Sequence, residues 1–131
     1  MTQEDKQLLL KDLCARLPYK PRVRYYYSIG STVINEYSDE GYLSYQNIED
    51  FSIYPKYGLE KTRVYNISPY LRHLSSMTEE EEKEFKETLQ YTQFTLESYD
   101  WLNAHHFDYR ELIERGLALK APKDMYNNNV K

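Results

Sequence analysis

The sequence has few of the residues that crosslink a chain or cradle a phosphate, with one cysteine and four glycines among 131 residues. The lone Cys14 excludes an intrachain disulfide framework and a cysteine-rich zinc site. None of the glycines falls in a GxGxxG or P-loop pattern. No apolar run approaches the roughly 18 residues of a membrane span, so no membrane association is expected. The polar start, from Met1 to Lys6, lacks the pattern of a signal peptide, which predicts a cytoplasmic protein.

The length of the chain and its charge indicate the number of domains and exclude one class of binding protein. A chain of this length fits one domain, and we predict a single domain over residues 1–121 followed by a loosely ordered tail over residues 122–131. The formal net charge is −4, which argues against a protein built mainly to coat nucleic acid. The charge is uneven, because residues 78–115 hold eleven acidic and four basic side chains.

Tyrosine is the abundant aromatic residue, with 15 Tyr against four Phe and one Trp. Tyr suits half-buried positions on sheets, so a strand-rich middle is one explanation of this composition. Tyr is also enriched where proteins recognise partners, so an exposed binding surface is the other.

The first element is predicted to be a helix from about Gln3 to Leu17. Thr2 has the residue type of an N-cap, and Asp5 stands three positions later, in the capping-box position. Pro18 prevents the helix from continuing. Helical spacing predicts a buried stripe made of Leu9, Leu10, Leu13, Cys14 and Leu17.

The stretch from Arg22 to Ile29 alternates in polarity with a period of two, which is typical of a strand with one buried face. The predicted core face carries Val23, Tyr25, Tyr27 and Ile29, and the predicted water face carries Arg22, Arg24, Tyr26 and Ser28. Turns are predicted at Gly30-Ser31 and Ser38–Gly41, and further short strands at Tyr42–Tyr45, Phe51–Tyr54 and Arg63–Ile67. These strands predict a small, mostly antiparallel sheet.

The C-terminal part is predicted to be helical after a connector over Ser68–Met77, in which Pro69 opens a single helical turn. Thr78 to Glu81 forms a capping-box pattern, and Glu79–Lys83 and Glu82–Lys86 have the spacing of ion pairs on a helix. The predicted elements are a helix from Glu79 to about Tyr91, a helix over Ser98–Phe107 that is either separate or continuous with it, a short helix from Asp108 to Gly116 and an extended segment over Leu117–Ala121. The fold class is therefore α+β, with an N-terminal helix, a small mostly antiparallel sheet and two to three C-terminal helices.

Three strings resemble sequences of a known group: KDLCARLPY (Lys11–Tyr19), PYLRHLSSMTEEE (Pro69–Glu81) and DWLNAHHFDYRELIERGLAL (Asp100–Leu119). Together they cover about a third of the chain. The chain resembles short uncharacterised proteins of gut anaerobic bacteria and their mobile elements. The resemblance implies a compact bacterial cytoplasmic protein and transfers no activity, cofactor or site residue.

The pair His105-His106 is the feature of the sequence that most resembles a metal-binding or catalytic site. Adjacent helical residues point about 100° apart, so the two imidazoles do not share one tetrahedral metal centre easily. We expect no bound metal and no cofactor, with His105 packing against Trp101 four residues earlier. Cys14 lies within the predicted leucine stripe, where a free cysteine behaves as a small apolar residue.

Arg22, Arg24 and Tyr26 form the candidate binding row on the predicted sheet face. Basic and aromatic side chains in alternation can bind single-stranded nucleic acid, whereas on an exposed strand they can instead discourage edge-to-edge association. The favoured hypothesis is a non-enzymatic protein-binding or adaptor domain whose partner is a protein of unspecified identity. The alternatives are a nucleic-acid-binding accessory protein of a mobile element and a small enzyme or metal site that uses His105 or His106. The oligomeric state is left open.

Overall fold

The computed structural model describes residues 2–29, 36–44 and 62–126, with the backbone alone at 26–29, 36–39 and 62–66. These residues form three α-helices, five strands and two short 3-10 turns. The elements are α1 Gln3–Arg16, β1 Arg22–Ile29, β2 Glu36–Tyr42, β3 Thr62–His73, α2 Glu79–Lys86, α3 Leu96–Ala104, β4 Phe107–Asp108 and β5 Leu119–Lys120, with the 3-10 turns at Leu17–Tyr19 and Leu74–Ser76. The α+β class is confirmed. None of the helices over these residues has the length and apolarity that a bilayer crossing requires.

The chain divides into two compact units, Met1–Tyr70 and Leu71–Lys131. Strand β3 contributes residues to both, since the boundary falls after Tyr70. The first unit contains α1, β1, β2 and most of β3. The second contains the end of β3, the helices α2 and α3, and the short strands β4 and β5.

Strand β1 of the first unit pairs antiparallel with β2 and with β3. Arg24 stands opposite Glu40 on one side and opposite Ser68 on the other. The turn predicted at Ser38–Gly41 is wrong, because these residues lie inside β2. The turn predicted at Gly30-Ser31 and the strand predicted at Phe51–Tyr54 lie outside the described residues.

Strand β3 is much longer than the predicted Arg63–Ile67 strand, and it takes in most of the predicted connector. The helical turn predicted after Pro69 is therefore wrong. Pro69 pairs with Val23 as the last pair of the β1–β3 ladder, a position where the missing amide hydrogen of proline is tolerated. The helical turn forms later, at Leu74–Ser76.

Helix α1 begins as predicted, with the Thr2 hydroxyl accepting a hydrogen bond from the Asp5 amide at 3.0 Å. Its buried face differs from the prediction. Cys14 is exposed, so its predicted role as a core residue is wrong. The buried face of α1 consists of Leu9, Asp12, Leu13 and Arg16, which is the same helical spacing shifted by one position.

Helices α2 and α3 of the second unit are separate. Thr78 makes the predicted capping box with Glu81, but α2 ends at Lys86 and α3 starts only at Leu96, where Thr95 and Ser98 form a second capping box. The helix predicted from Asp108 is wrong. The Asp108 carboxylate instead accepts hydrogen bonds from two amides, Leu112 and Ile113, each at 2.9 Å, which stabilises a turn.

The end of β3 pairs in parallel with β4, as Arg72 with Phe107 and His73 with Asp108. The Leu71 carbonyl also accepts a hydrogen bond from the Ala121 amide at 2.8 Å, next to β5. Strand pairing in the protein is thus mixed rather than purely antiparallel. Among the residues whose side chains are described, the buried apolar ones are Leu71, Leu102, Phe107, Leu112, Leu117 and Ala118 in the second unit, and Leu9, Leu13, Val23, Leu43, Ile67 and Tyr70 in the first.

Candidate functional site

The predicted binding row of β1 surrounds an acidic side chain from the neighbouring strand. Arg24 donates two hydrogen bonds to Glu40, from Nε at 3.3 Å and from Nη2 at 2.9 Å. Arg22 reaches the same carboxylate at 3.8 Å, and its guanidinium lies 4.9 Å from the centre of the Tyr42 ring. Tyr26, the third residue of the predicted row, also lies in β1, but its side chain is outside the described part of the chain. The structure thus brings Arg22 and Arg24 together around Glu40.

The hydroxyl of Tyr70 also donates to the Glu40 carboxylate. This hydrogen bond is the largest cause of a pKa of Glu40 below its ordinary value, and the hydrogen bonds from Arg24 are the second. Burial, followed by the same hydrogen bond to Glu40, raises the pKa of Tyr70. The carboxylate offsets part of the positive charge of the two arginines, so this face is an ion-pair cluster rather than a purely basic row.

All three histidines of the sequence line one open cleft of the second unit, with a volume of about 1040 Å³. The ring of His105 stacks on Trp101 with 3.9 Å between centroids, and its Nδ1 lies 2.9 Å from the Trp101 carbonyl. A carbonyl oxygen only accepts, so Nδ1 is the donor in this hydrogen bond. The predicted packing of His105 on Trp101 is confirmed.

His106 is buried and has a left-handed backbone, with φ at 65°. Its ring stacks on Tyr126 with 3.9 Å between centroids, and its carbonyl accepts the Arg72 amide at 2.8 Å. The adjacent histidines thus pack on different aromatic side chains. Among the described residues, no group of three or more His, Cys, Asp or Glu side chains is placed to hold a metal ion.

A charged pair spans the same cleft. Arg72 donates to both oxygens of Glu81, at 2.9 Å to Oε2 and 2.8 Å to Oε1, and its guanidinium lies 4.1 Å from the centre of the Phe107 ring. The Glu81 carboxylate accepts a third hydrogen bond, from the Thr78 amide to Oε1. Burial alone would raise the pKa of Glu81, but these hydrogen bonds outweigh it and the pKa lies below its ordinary value. Such a pair fixes α2 to the end of β3.

Sequence reasoning missed the most exposed apolar part of the second unit, which we call the aromatic surface. It consists of Tyr91, Phe94, Leu96 and Tyr99. Their exposed fractions are 92%, 45%, 84% and 41%. Leu96 and Tyr99 are three residues apart on α3, so they are neighbours on one helix face.

The aromatic surface stands on ordered structure. Phe94 packs edge-on against Phe85 and against Tyr99, with ring centroids 5.2 and 5.4 Å apart. The turn that carries Tyr91 is closed by two backbone hydrogen bonds of 3.0 Å between Gln90 and Gln93. These contacts fix the Phe94 ring against its neighbours and close the backbone of the turn that carries Tyr91.

The capping box of α3 adds to this ordered structure. The Thr95 hydroxyl donates to the Thr88 carbonyl at 2.8 Å, and the buried Ser98 hydroxyl donates to the same carbonyl at 3.0 Å. The available sequence signal was the concentration of Tyr, Phe and Leu in a segment that breaks the helical pattern. Compared with known proteins, the chain matches no protein-family model, no curated protein and no solved structure.

Proposed function

We propose that the protein is a non-enzymatic protein-binding module that docks a partner on its aromatic surface. One observation carries the proposal: Tyr91, Phe94, Leu96 and Tyr99 are all exposed within nine residues of chain. Single exposed apolar residues are ordinary, but a contiguous group of large ones marks an interaction site.

The chemistry of these side chains suits binding. Burying one such side chain against a partner contributes roughly 1.5–3 kcal/mol, and Tyr is among the residues that dominate binding energy at interfaces. The ring contacts of Phe94 and the hydrogen bonds that close the turn at Tyr91 order the Phe94 ring and the turn backbone before the partner arrives. A preorganised surface loses less conformational entropy on binding, which leaves more of the contact energy for affinity.

The other hypotheses have less support. Nucleic-acid binding would use Arg22 and Arg24, whose guanidinium groups are already hydrogen-bonded or close to Glu40. An enzyme built on His105 would need a reacting partner group, and the His105 ring is held by Trp101. We also propose that the protein acts in the cytoplasm, as expected from its sequence.

A selection experiment tests the proposal. A random peptide library is displayed on phage and selected on the wild-type protein, and the enriched peptides are then measured against Leu96→Ser with Tyr99→Ser. We expect binding at least about tenfold weaker in that variant, which corresponds to about 1.4 kcal/mol. The matched control is Tyr42→Ser, which removes an exposed aromatic side chain from the first unit and should bind normally.

Circular dichroism and urea unfolding establish that each variant is folded. Enriched peptides that bind both variants as tightly as the wild type would refute the aromatic surface as the binding site.

A further inference from the structure

The chain around the aromatic surface is strongly acidic. Between Glu79 and Ala104 there are eight acidic and two basic side chains. Of the acids, Glu81 is paired with Arg72. The ion pairs predicted for Glu79–Lys83 and Glu82–Lys86 are not formed within the described part of the chain. Helix α2 itself carries five acidic and two basic side chains.

Helix α3 carries two acids in the same turns as its exposed apolar residues. Glu97 follows Leu96, and Asp100 is four residues after Leu96 and one after Tyr99. Positions four apart lie next to each other on a helix, so Asp100 borders Leu96. Both acids are exposed, and neither makes an ion pair with any residue that the structure describes.

This charge distribution limits the kinds of partner that can bind the aromatic surface. A second copy of the chain would bring its own acids against these acids, which like-charge repulsion disfavours. The phosphates of nucleic acid and of anionic lipid headgroups are repelled for the same reason. A segment with Lys or Arg around its apolar anchors gains attraction from Glu97 and Asp100 while it buries Leu96 and Tyr99.

We infer that the aromatic surface binds a short basic segment of a protein partner, in which apolar anchors alternate with Lys or Arg. The inference rests on the proposed function and specifies the partner of that same surface. The apolar contacts supply most of the affinity. The acids speed association and select against neutral and acidic segments.

Three synthetic peptides test the inference. They share one pattern of leucine anchors and differ only at the intervening positions, which are Arg, Gln or Glu. Binding to the full chain is measured by calorimetry at low and at high salt. We expect the Arg peptide to bind at least about tenfold more tightly than the Gln peptide, with an advantage that shrinks as salt screens the charges.

Charge-neutralising variants locate the effect. Glu97→Gln with Asp100→Asn should reduce the Arg peptide's advantage several-fold and leave the Gln peptide unchanged. The matched control is Glu4→Gln with Glu114→Gln, which removes two exposed acids that do not belong to α3.

The outcomes separate the two proposals. If all three peptides bind equally and all lose affinity in Leu96→Ser, the aromatic surface is a binding site and the inference of a basic partner is wrong. If the Arg peptide binds more tightly but is insensitive to Leu96→Ser, the attraction is nonspecific and both proposals fail for this surface.

Discussion

Asp12 and Arg16 form an ion pair of 2.7 Å on α1, and both side chains are fully buried. The pair has i, i+4 spacing, with the acid nearer the N-terminus, which is the favourable orientation on a helix. A buried pair adds little net stability over a well-packed apolar pair, but removing one member leaves an uncompensated charge in the core.

The first prediction follows from this asymmetry. Asp12→Ala should lower the free energy of unfolding by about 3–5 kcal/mol, as measured by urea unfolding. The double change Asp12→Leu with Arg16→Met should recover most of the loss because it removes both charges. Lys11→Ala, at the exposed neighbouring position, is the control and should have little effect. A loss below about 1 kcal/mol for Asp12→Ala would contradict the burial of the pair.

The second prediction concerns the start of α2. The Thr78 hydroxyl accepts the Glu81 amide at 3.1 Å, and the Glu81 carboxylate returns a bond to the Thr78 amide at 3.0 Å. Thr78→Ala should therefore cost about 1 kcal/mol in urea unfolding. Thr92→Ala, at an exposed position in the turn after α2, should cost much less. Equal effects of the two changes would show that the cap does not stabilise the helix.

Local signals made the helix starts predictable. The N-cap hydrogen bond of Thr2 and the capping box of Thr78 depend on residues within one helical turn, and both form. The end of β3 was not predictable in this way, because Pro69 usually breaks a strand and is tolerated here only by its position at the end of a ladder.

The buried face of α1 was misassigned for a different reason. Hydrophobic patterning places leucines inside and charges outside, so the pattern selected Cys14 and passed over Asp12 and Arg16. These two are buried because they neutralise each other, a relation that patterning does not include. The aromatic surface was missed because the exposure of Phe94 and Leu96 depends on the turn between α2 and α3. Hydrogen bonds between Thr88 and Ser98, which are ten residues apart, stabilise that turn.

The third prediction uses the ion-pair cluster of β1 and β2. Arg24→Glu would face Glu40 across the strand pair with like charges, so the thermal unfolding midpoint should fall. Glu40→Arg alone should also lower it, because it removes the acceptor shared by Arg24 and Tyr70. The double exchange restores opposite charges and should recover part of the loss. Additive losses in the double variant would mean that Arg24 and Glu40 do not interact in solution.

The fourth prediction concerns His105. His105→Gln should lower the free energy of unfolding by about 0.5–1.5 kcal/mol, because it removes the stacking on Trp101. His105→Phe keeps an aromatic ring and should lose less, although it lacks the hydrogen bond from Nδ1 to the Trp101 carbonyl. Equilibrium dialysis against zinc should give no stoichiometric binding to the wild type. One zinc per chain, lost in His105→Gln, would overturn the structural role.

The fifth prediction is a pH dependence carried by Glu81, whose pKa is held below its ordinary value by Arg72 and the Thr78 amide. A carboxyl group with a lowered pKa in the folded state stabilises the fold above its unfolded pKa of about 4.3. That stabilisation is lost as the pH falls through the lowered folded value. Glu81→Gln should therefore reduce the free energy of unfolding by about 1.5–3 kcal/mol at neutral pH, since it removes a charged hydrogen-bond acceptor.

Urea unfolding from neutral to acidic pH checks this prediction. The difference between wild type and Glu81→Gln should be constant at neutral pH and should narrow below about pH 4.3, because protonation removes the same charge from the wild type. Glu82→Gln is the matched control, since Glu82 is the exposed neighbour on α2 and should leave both the stability and its pH profile unchanged. A gap that stays equally wide in acid would show that Glu81 stabilises the fold by packing alone.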